Sequence, residues 1–184
     1  MRVIAGTARR LQLKTIDGRD TRPTTDRIKE TLFNIINPYL GGCVFLDLFS
    51  GSGGIGIEAL SRGAKQAYFV ETNKKAVACI QDNLTHTKLE DKALVMGQDA
   101  LTAIRLLSNR GVVCDYIYMD PPYHLGLEEE VLRELAASNI VSEDTVIIIE
   151  ADMHTDFSFI EDLPFVIDRI KEYKTNKHLF IVKE

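Results

Sequence analysis

The chain has 184 residues, 45% of them apolar and 27% charged, the proportions of an ordinary soluble globule. A chain of this length buries roughly 70% of its unfolded surface and needs neither disulfides nor metal to fold, which points to one domain with at most a small appendage. Cys43, Cys79 and Cys114 are odd in number, far apart and set in apolar sequence. They read as reduced, buried thiols, not as a disulfide framework or a zinc site. His86, His124, His154 and His178 show no metal-ligand spacing with them, and no metal is expected. The apolar run Val146 to Ile149 is far too short to span a membrane, and no signal peptide opens the chain. A cytoplasmic protein without membrane partners is expected. The net charge of −5 hides an asymmetry, because residues 1–30 carry eight basic against four acidic side chains, leaving −9 for the other 154. Such a local excess suits either an arm that binds a polyanion or a solvated face.

In chain order, residues 2–16 alternate loosely around Gly6-Thr7-Ala8 and predict a short β-hairpin. A helix follows from Thr25 or Asp26, with Ile28, Leu32, Phe33 and Ile36 at helical spacing, and Pro38 and Gly41-Gly42 end it. From there strands and helices alternate. Strands are predicted at Cys43–Asp47, Gln66–Glu71, Ala93–Met96, Tyr116–Met119 and Thr145–Glu150. Between them lie helices through Leu60, through Val77, Ile80 and Leu84 after an Asn73 cap, through Leu101, Ile104 and Leu107, and through Leu127, Val131, Leu132 and Leu135. Apolar strands each followed by a helix specify a parallel sheet covered on both faces. Phe165–Tyr173 and His178–Lys183, joined by the polar turn Lys174–Lys177, predict an antiparallel hairpin. The expected architecture is an α/β, Rossmann-like, doubly wound seven-stranded sheet, mostly parallel, with an antiparallel C-terminal hairpin and a short N-terminal β-hairpin extension.

The chemistry gathers at the ends of these strands. Asp120-Pro121-Pro122-Tyr123 closes one of them. Two prolines can neither continue a helix nor donate to a ladder, so a carboxylate, stiff carbonyls and an aromatic ring are fixed together there. That is an acceptor for an amino group with a stacking plate beside it. Gly51, Gly53 and Gly56 satisfy G-x-G-x-x-G between a strand and a helix, letting backbone approach a ligand closely. Glu71, about 20 residues past the first glycine, is placed to accept from ribose hydroxyls. Asp47, four residues before that glycine, would repel a pyrophosphate but attract an ammonium group. Asp99 offers a further carboxylate to an adenine amino group. Asp47, Glu71, Asp99 and Asp120 thus fall at the carboxyl ends of successive parallel strands, the edge where open α/β sheets bind ligands.

Asp47-x-Phe49-x-Gly51-x-Gly53, Glu71, Asp99 and Asp120-Pro121-Pro122-Tyr123 resemble the motif series of class I S-adenosylmethionine-dependent amino-methyltransferases. Arg2-Val3-Ile4-Ala5-Gly6, Thr21-Arg22-Pro23-Thr24-Thr25-Asp26-Arg27 and Leu32-Phe33-Asn34 resemble the bacterial 16S rRNA guanine-N2 methyltransferases of the RsmD type, and the resemblance spans nearly the whole chain. Ile16, where such proteins often carry proline, departs from it. The resemblance implies a basic N-terminal hairpin and helix facing RNA over residues 1–40 and a methyltransferase domain over 41–184. It implies S-adenosylmethionine held by Asp47, Phe49, Ser50, Gly51, Gly53, Glu71 and Asp99. Asp120, Pro121, Pro122 and Tyr123 would present the target base, with 16S rRNA, within the small ribosomal subunit or its precursor, as partner. Arg9, Arg10, Lys14, Arg19 and Arg22 are the candidate RNA contacts. The Pro-Pro-Tyr motif is shared with adenine-N6 DNA and protein-glutamine methyltransferases, so it specifies an amino group and leaves the substrate open.

Overall fold

A computed structural model describes residues 1–16, 26–122 and 125–184. Its centre is a seven-stranded sheet in the order β3-β2-β1-β4-β5-β7-β6. Strands β1 (Val44–Leu48), β2 (Gln66–Val70), β3 (Ala93–Met96), β4 (Cys114–Met119) and β5 (Val141–Asp152) run parallel. β7 (Asn176–Lys183) returns antiparallel between β5 and β6 (Phe165–Glu172). The helices are α1 (Asp26–Ile36), α2 (Gly54–Ser61), α3 (Lys74–Thr87), α4 (Ala100–Asn109) and α5 (Leu127–Ala137). The chain moves outward from β1 to β3, then crosses back to β4 on the other side of β1. The strand order therefore reverses between β1 and β4, and a crevice opens at their carboxyl ends.

Alternation along each strand builds two cores. Leu46, Leu48, Ile117, Met119, Ile147 and Ile149 face α4 and α5, where they meet Ile104, Leu107, Val131, Leu132 and Leu135. Phe45, Tyr116, Tyr118, Ile148 and Phe180 face the other way, against Leu32, Phe33 and Ile36 of α1, Ile57 and Leu60 of α2, and Ile80 and Leu84 of α3. Val3, Ala8 and Leu13 of the N-terminal segment enter this second core. Each fully buried side chain of this size contributes about 1.5–3 kcal/mol. Among the described residues, no helix is long and apolar enough to cross a membrane.

The N-terminal hairpin is reduced to one isolated bridge, Arg2 to Gln12, with hydrogen bonds from Val3 N–H to Leu11 and Leu13 N–H to Met1. The pairing stops at Val3, whose carbonyl accepts Arg10 N–H (2.9 Å) while Leu11 N–H turns back to Ala8 O (3.2 Å), and the residues beyond it bind α2. Glu58 on α2 accepts the N–H groups of Ile4 (2.8 Å) and Ala5 (3.0 Å), and Ser61 accepts those of Thr7 and Ala8. The segment is pinned to α2 in place of extending a ladder. Gly6 adopts φ +83°, and a Cβ there would strike the Ser61 backbone. Lys29, fully buried, completes the attachment: its ammonium donates to Arg2 O (2.6 Å) and lies 3.3 Å from Glu58, which also receives Arg62 Nε (2.8 Å). Burial pulls the Lys29 pKa down, and the adjacent Glu58 opposes that pull.

Three sequence expectations need adjustment. β5 begins at Val141, because the polar residues after it are carried over an irregularity in the β4 pairing, where Thr145 Oγ1 donates to Cys114 O at 2.7 Å. β7 begins at Asn176, so the hairpin turn is shorter than Lys174–Lys177. Cys43 and Cys114 are buried thiols pushed up to about 12 by burial, but Cys79 is only half-buried, its thiol lying 3.5 Å from Lys14 O.

Candidate active site

The crevice is built from the ends of β1, β2 and β4. Asp47, the penultimate residue of β1, is 1% exposed, and its Oδ2 accepts the Gly56 N–H of α2 at 3.0 Å. Burial pushes its carboxyl up to about 7; the Gly56 hydrogen bond opposes that rise and the Glu71 carboxylate adds to it. A buried acid with one backbone donor holds an unmet demand for positive charge.

Next comes a run of left-handed backbone: Phe49 at φ 61°, Gly51 at 54° and Gly53 at 80°. The conformation suits glycine, and for a bulky residue such as Phe49 it is a strained exception of the kind that collects at ligand sites. Ser50 holds the strain in place. Its hydroxyl donates to Asp47 O (2.6 Å) and accepts from Val70 N–H (2.9 Å), and its own N–H donates to Val70 O (2.9 Å). Both roles of the Ser50 hydroxyl are thus filled by the protein. A Cβ on Gly51 would point into open space, whereas one on Gly56 would enter the Phe69 ring, so Gly56 serves the packing of α2 on β2. Glu71, just past β2, spans the turn: Oε2 accepts Gly51 N–H (2.9 Å) and Oε1 accepts Asn73 N–H (2.8 Å). Asn73 in turn caps α3.

Asp99 is the N-cap of α4. Oδ1 accepts Thr102 N–H (2.9 Å), Oδ2 accepts Thr102 Oγ1 (2.8 Å), and these bonds hold its carboxyl below the ordinary value. The capping role carries no signal in the apolar pattern of that helix, although Asp at such a boundary is a common cap. Beside it, the Gln98 amide nitrogen is buried with no hydrogen-bond partner among the described residues.

A cavity of about 400 Å³ opens over this edge, lined by Phe49, Val70, Glu71, Gln98, Asp99, Leu101, Pro122, Leu127 and Val131 among others. It is mostly apolar with a few carboxylates at its walls, the usual make-up of a small-molecule pocket. Phe49 and Pro122 line it, and each follows by two residues an acid, Asp47 or Asp120, that does not.

Asp120 follows β4 directly, with Pro121 buried and Pro122 exposed after it. Its carboxyl is pushed up to about 8, first by burial, then by the carboxylates of Glu150, Asp47 and Glu128. Sequence reasoning missed Glu150 and Glu128 as members of this cluster. Glu150 was legible only as the end of a strand, and Glu128 only as one of three acids opening α5. Tyr123, Arg19, Arg22 and Thr24 lie outside the described residues. Arg9 and Arg10 are exposed, Arg10 at φ 73°, while Lys14 forms an exposed ion pair with Asp82 at 2.8 Å. No group of three or more His, Cys, Asp or Glu among the described residues is arranged to hold a metal.

The model of the family named conserved hypothetical protein 95 matches residues 1–182. The Bacillus subtilis protein YlbH is 41% identical over 152 residues, 83% of this chain and 83% of that protein. Ribosomal RNA small subunit methyltransferase D of Haemophilus influenzae is 36% identical over 153 residues, 83% of this chain and 79% of that protein. The solved structure of the Escherichia coli protein yhhF superposes with a TM-score of 0.84 at 29% identity, covering 100% of this chain and 98% of that one. Matched almost end to end, with its strained glycine turn and its row of carboxylates at the strand ends, the chain belongs to the conserved hypothetical protein 95 family, that of the small-subunit ribosomal RNA methyltransferase D proteins.

Proposed function

We propose that this protein transfers a methyl group from S-adenosylmethionine to the exocyclic N2 of a guanine in 16S rRNA, within the small ribosomal subunit or its precursor. The observation that carries the reading is the juxtaposition, at one sheet edge, of a buried acid with no cation beside it among the described residues, a glycine turn with open space above it, and an acid-proline-proline acceptor. The residues fit the cofactor. A cavity of about 400 Å³ accommodates a nucleoside, Gly51 leaves room where any other residue would project, and Asp47 offers charge to an ammonium. Phe49 and Leu101 supply apolar wall to the purine, Glu71 accepts from ribose hydroxyls with the lone pairs its two backbone donors leave, and Asp99 does the same for the adenine amino group. Ser50 and Gly53 act by holding the turn. Bound there, the cofactor supplies a methyl on a sulfonium that leaves as a neutral thioether.

The chain's own residues then do the positioning. A guanine N2 is a poor nucleophile because its lone pair is delocalised into the ring. Hydrogen bonds from its two N–H groups to the Asp120 carboxylate and the Pro121 carbonyl favour a pyramidal nitrogen and aim its lone pair at the methyl. Tyr123 stacks on the base, and Pro122 keeps the turn rigid. Such alignment and fixed electrostatics account for most of the barrier reduction in reactions of this kind. A paired base is out of reach, so the target must be unpaired or flipped. Arg9, Arg10, Lys14, Arg19 and Arg22 carry the phosphate contacts, and Lys14 gives up only an exposed ion pair to do so. The substrate places the enzyme in the cytoplasm.

The test offers labelled S-adenosylmethionine with unmethylated small subunits, free 16S rRNA, DNA and a protein substrate, followed by digestion of the product. Label in N2-methylguanosine supports the reading; label in N6-methyladenine or glutamine overturns it.

A further inference from the structure

Behind the Asp120 turn lies a buried polar cluster that the reaction outlined above leaves without a task. Glu150, at the carboxyl end of β5, is 4% exposed, and His178, its register partner on β7, is 0% exposed. Tyr118 Oη donates to Glu150 Oε2 at 2.6 Å, Asn176 Nδ2 donates to Oε1 at 2.6 Å, and His178 Nε2 lies 3.1 Å from Oε2. Tyr173 Oη lies 3.0 Å from His178 Nδ1, and the two rings meet edge to face with centroids 5.1 Å apart. With Glu150 ionised, Nε2–H donates to it both in the protonated ring, whose Nδ1–H donates to Tyr173 Oη, and in the neutral Nε2–H tautomer, whose Nδ1 accepts from Tyr173. Burial alone would raise the Glu150 carboxyl, but the hydrogen bond and charge of His178, then the hydrogen bonds from Tyr118 and Asn176, hold it below its ordinary value and favour the ionised form.

This fixed negative charge sits beside Asp120. The parallel register pairs Met119 with Ile149, so the next residues along the two strands are Asp120 and Glu150. Tyr118, which binds Glu150, is two residues before Asp120 on the same strand. Among the described residues, the charged groups that act on Asp120 are Glu150 of β5, Asp47 of β1 and Glu128 of α5, with His178 of β7 behind Glu150. A core that needed only to be filled would gain from apolar residues here, since a buried ionic cluster is weak evidence for stability.

Building on the proposed methyl transfer, we infer that Glu150, clamped by Tyr118, Asn176 and His178, is a positioning residue whose fixed charge makes Asp120 the acceptor of the amine proton. As the N2 lone pair forms the new N–C bond, the C–S bond breaks with its electron pair passing to sulfur. The nitrogen then carries an excess proton, which passes to the Asp120 carboxylate, leaving neutral N2-methylguanine; half-buried Asp120 returns the proton to solvent. Glu150 strengthens Asp120 as a base through like-charge repulsion, which the proton relieves.

The test is the pH dependence of single-turnover transfer in wild type, Glu150→Gln and His178→Gln. Loss of the Glu150 charge weakens Asp120 as a base, so the acidic limb of the profile moves down by about one pH unit or more in Glu150→Gln. His178→Gln keeps an N–H for Glu150 and leaves the limb in place. A merely structural role predicts reduced transfer at every pH with the limb unmoved, and that result overturns the inference. Carboxyl carbon NMR titration of Asp120 in the same variants, without cofactor or RNA, reads the same shift independently of activity. If wild type transfers no methyl group, the functional reading fails; if it does and both measurements leave Asp120 unshifted, only the role of Glu150 fails.

Discussion

Replacing Asp47 by Asn exposes the conflict between stability and binding at this site. The Asp47 carboxyl moves from an ordinary 3.8 in the unfolded chain to about 7 in the fold, with burial the main cause. Because the folded state holds this proton more tightly, the contribution favours folding below pH 3.8 and is lost as pH rises toward 7. At about 1.36 kcal/mol per pH unit, ionisation of Asp47 costs the fold about 1.5 kcal/mol at pH 5 and about 4 kcal/mol above pH 7. An Asn side chain keeps an oxygen for the Gly56 N–H and carries no such cost. Urea denaturation of wild type and Asp47→Asn at pH 5 and pH 8 therefore gives a stability difference that shifts in favour of the variant by about 2–3 kcal/mol between the two pH values. Comparing the two pH values cancels the fixed cost of burying the amide. The same variant should bind S-adenosylmethionine at least about tenfold more weakly, since one buried charge pair is lost. A difference that stays flat with pH would refute the argument that Asp47 is an acid strained by burial.

Other outcomes follow from the same geometry. Lys29→Met removes the donor to Arg2 O and one of the two cations on Glu58, and should cost about 1–3 kcal/mol in urea denaturation, since Arg62 and two backbone N–H groups still serve Glu58. Asp99→Ala should cost about 1 kcal/mol as a lost helix cap, whereas Asp99→Ser retains a capping oxygen; if Asp99 also receives the adenine amino group, both variants weaken cofactor binding although only Ala destabilises. Arg9→Ala and Arg10→Ala should each lower rRNA affinity and reduce the slope of log K against log salt by about 1, while leaving cofactor affinity unchanged. An unaltered slope removes that arginine from the interface.

The fold was largely legible because the sequence signals were redundant. Asn73 before Val77 and Ile80 combines a boundary residue with helical spacing, Leu127, Val131, Leu132 and Leu135 repeat that spacing, and the structure has α3 and α5 there. The strands leading to Asp47 and Asp120 are continuous apolar runs, as doubly covered parallel strands must be. Legibility failed where distant side chains hold the backbone. Residues 2–16 alternate like a hairpin and do form an antiparallel bridge, yet the residues between are held by Glu58 and Ser61, more than fifty residues away. At the site, the motif residues were visible as types and spacings, but their existing hydrogen bonds were not. The Ser50 hydroxyl is committed to Asp47 and Val70, and Asp99 to Thr102. Glu150 and His178 escaped notice because their significance comes from β7 inserting beside β5, a long-range pairing that no local pattern encodes.

The central claim is that Asp120 and its prolines form the methyl-accepting half of a cofactor pocket. Its most direct test is Asp120→Ala, assayed in parallel for cofactor binding by calorimetry and for single-turnover methyl transfer to small subunits. The account predicts transfer reduced by at least about 10²- to 10³-fold, with cofactor affinity nearly unchanged, because Asp120 lies outside the cavity lining and acts on the incoming amine. Near-normal turnover in Asp120→Ala would contradict it.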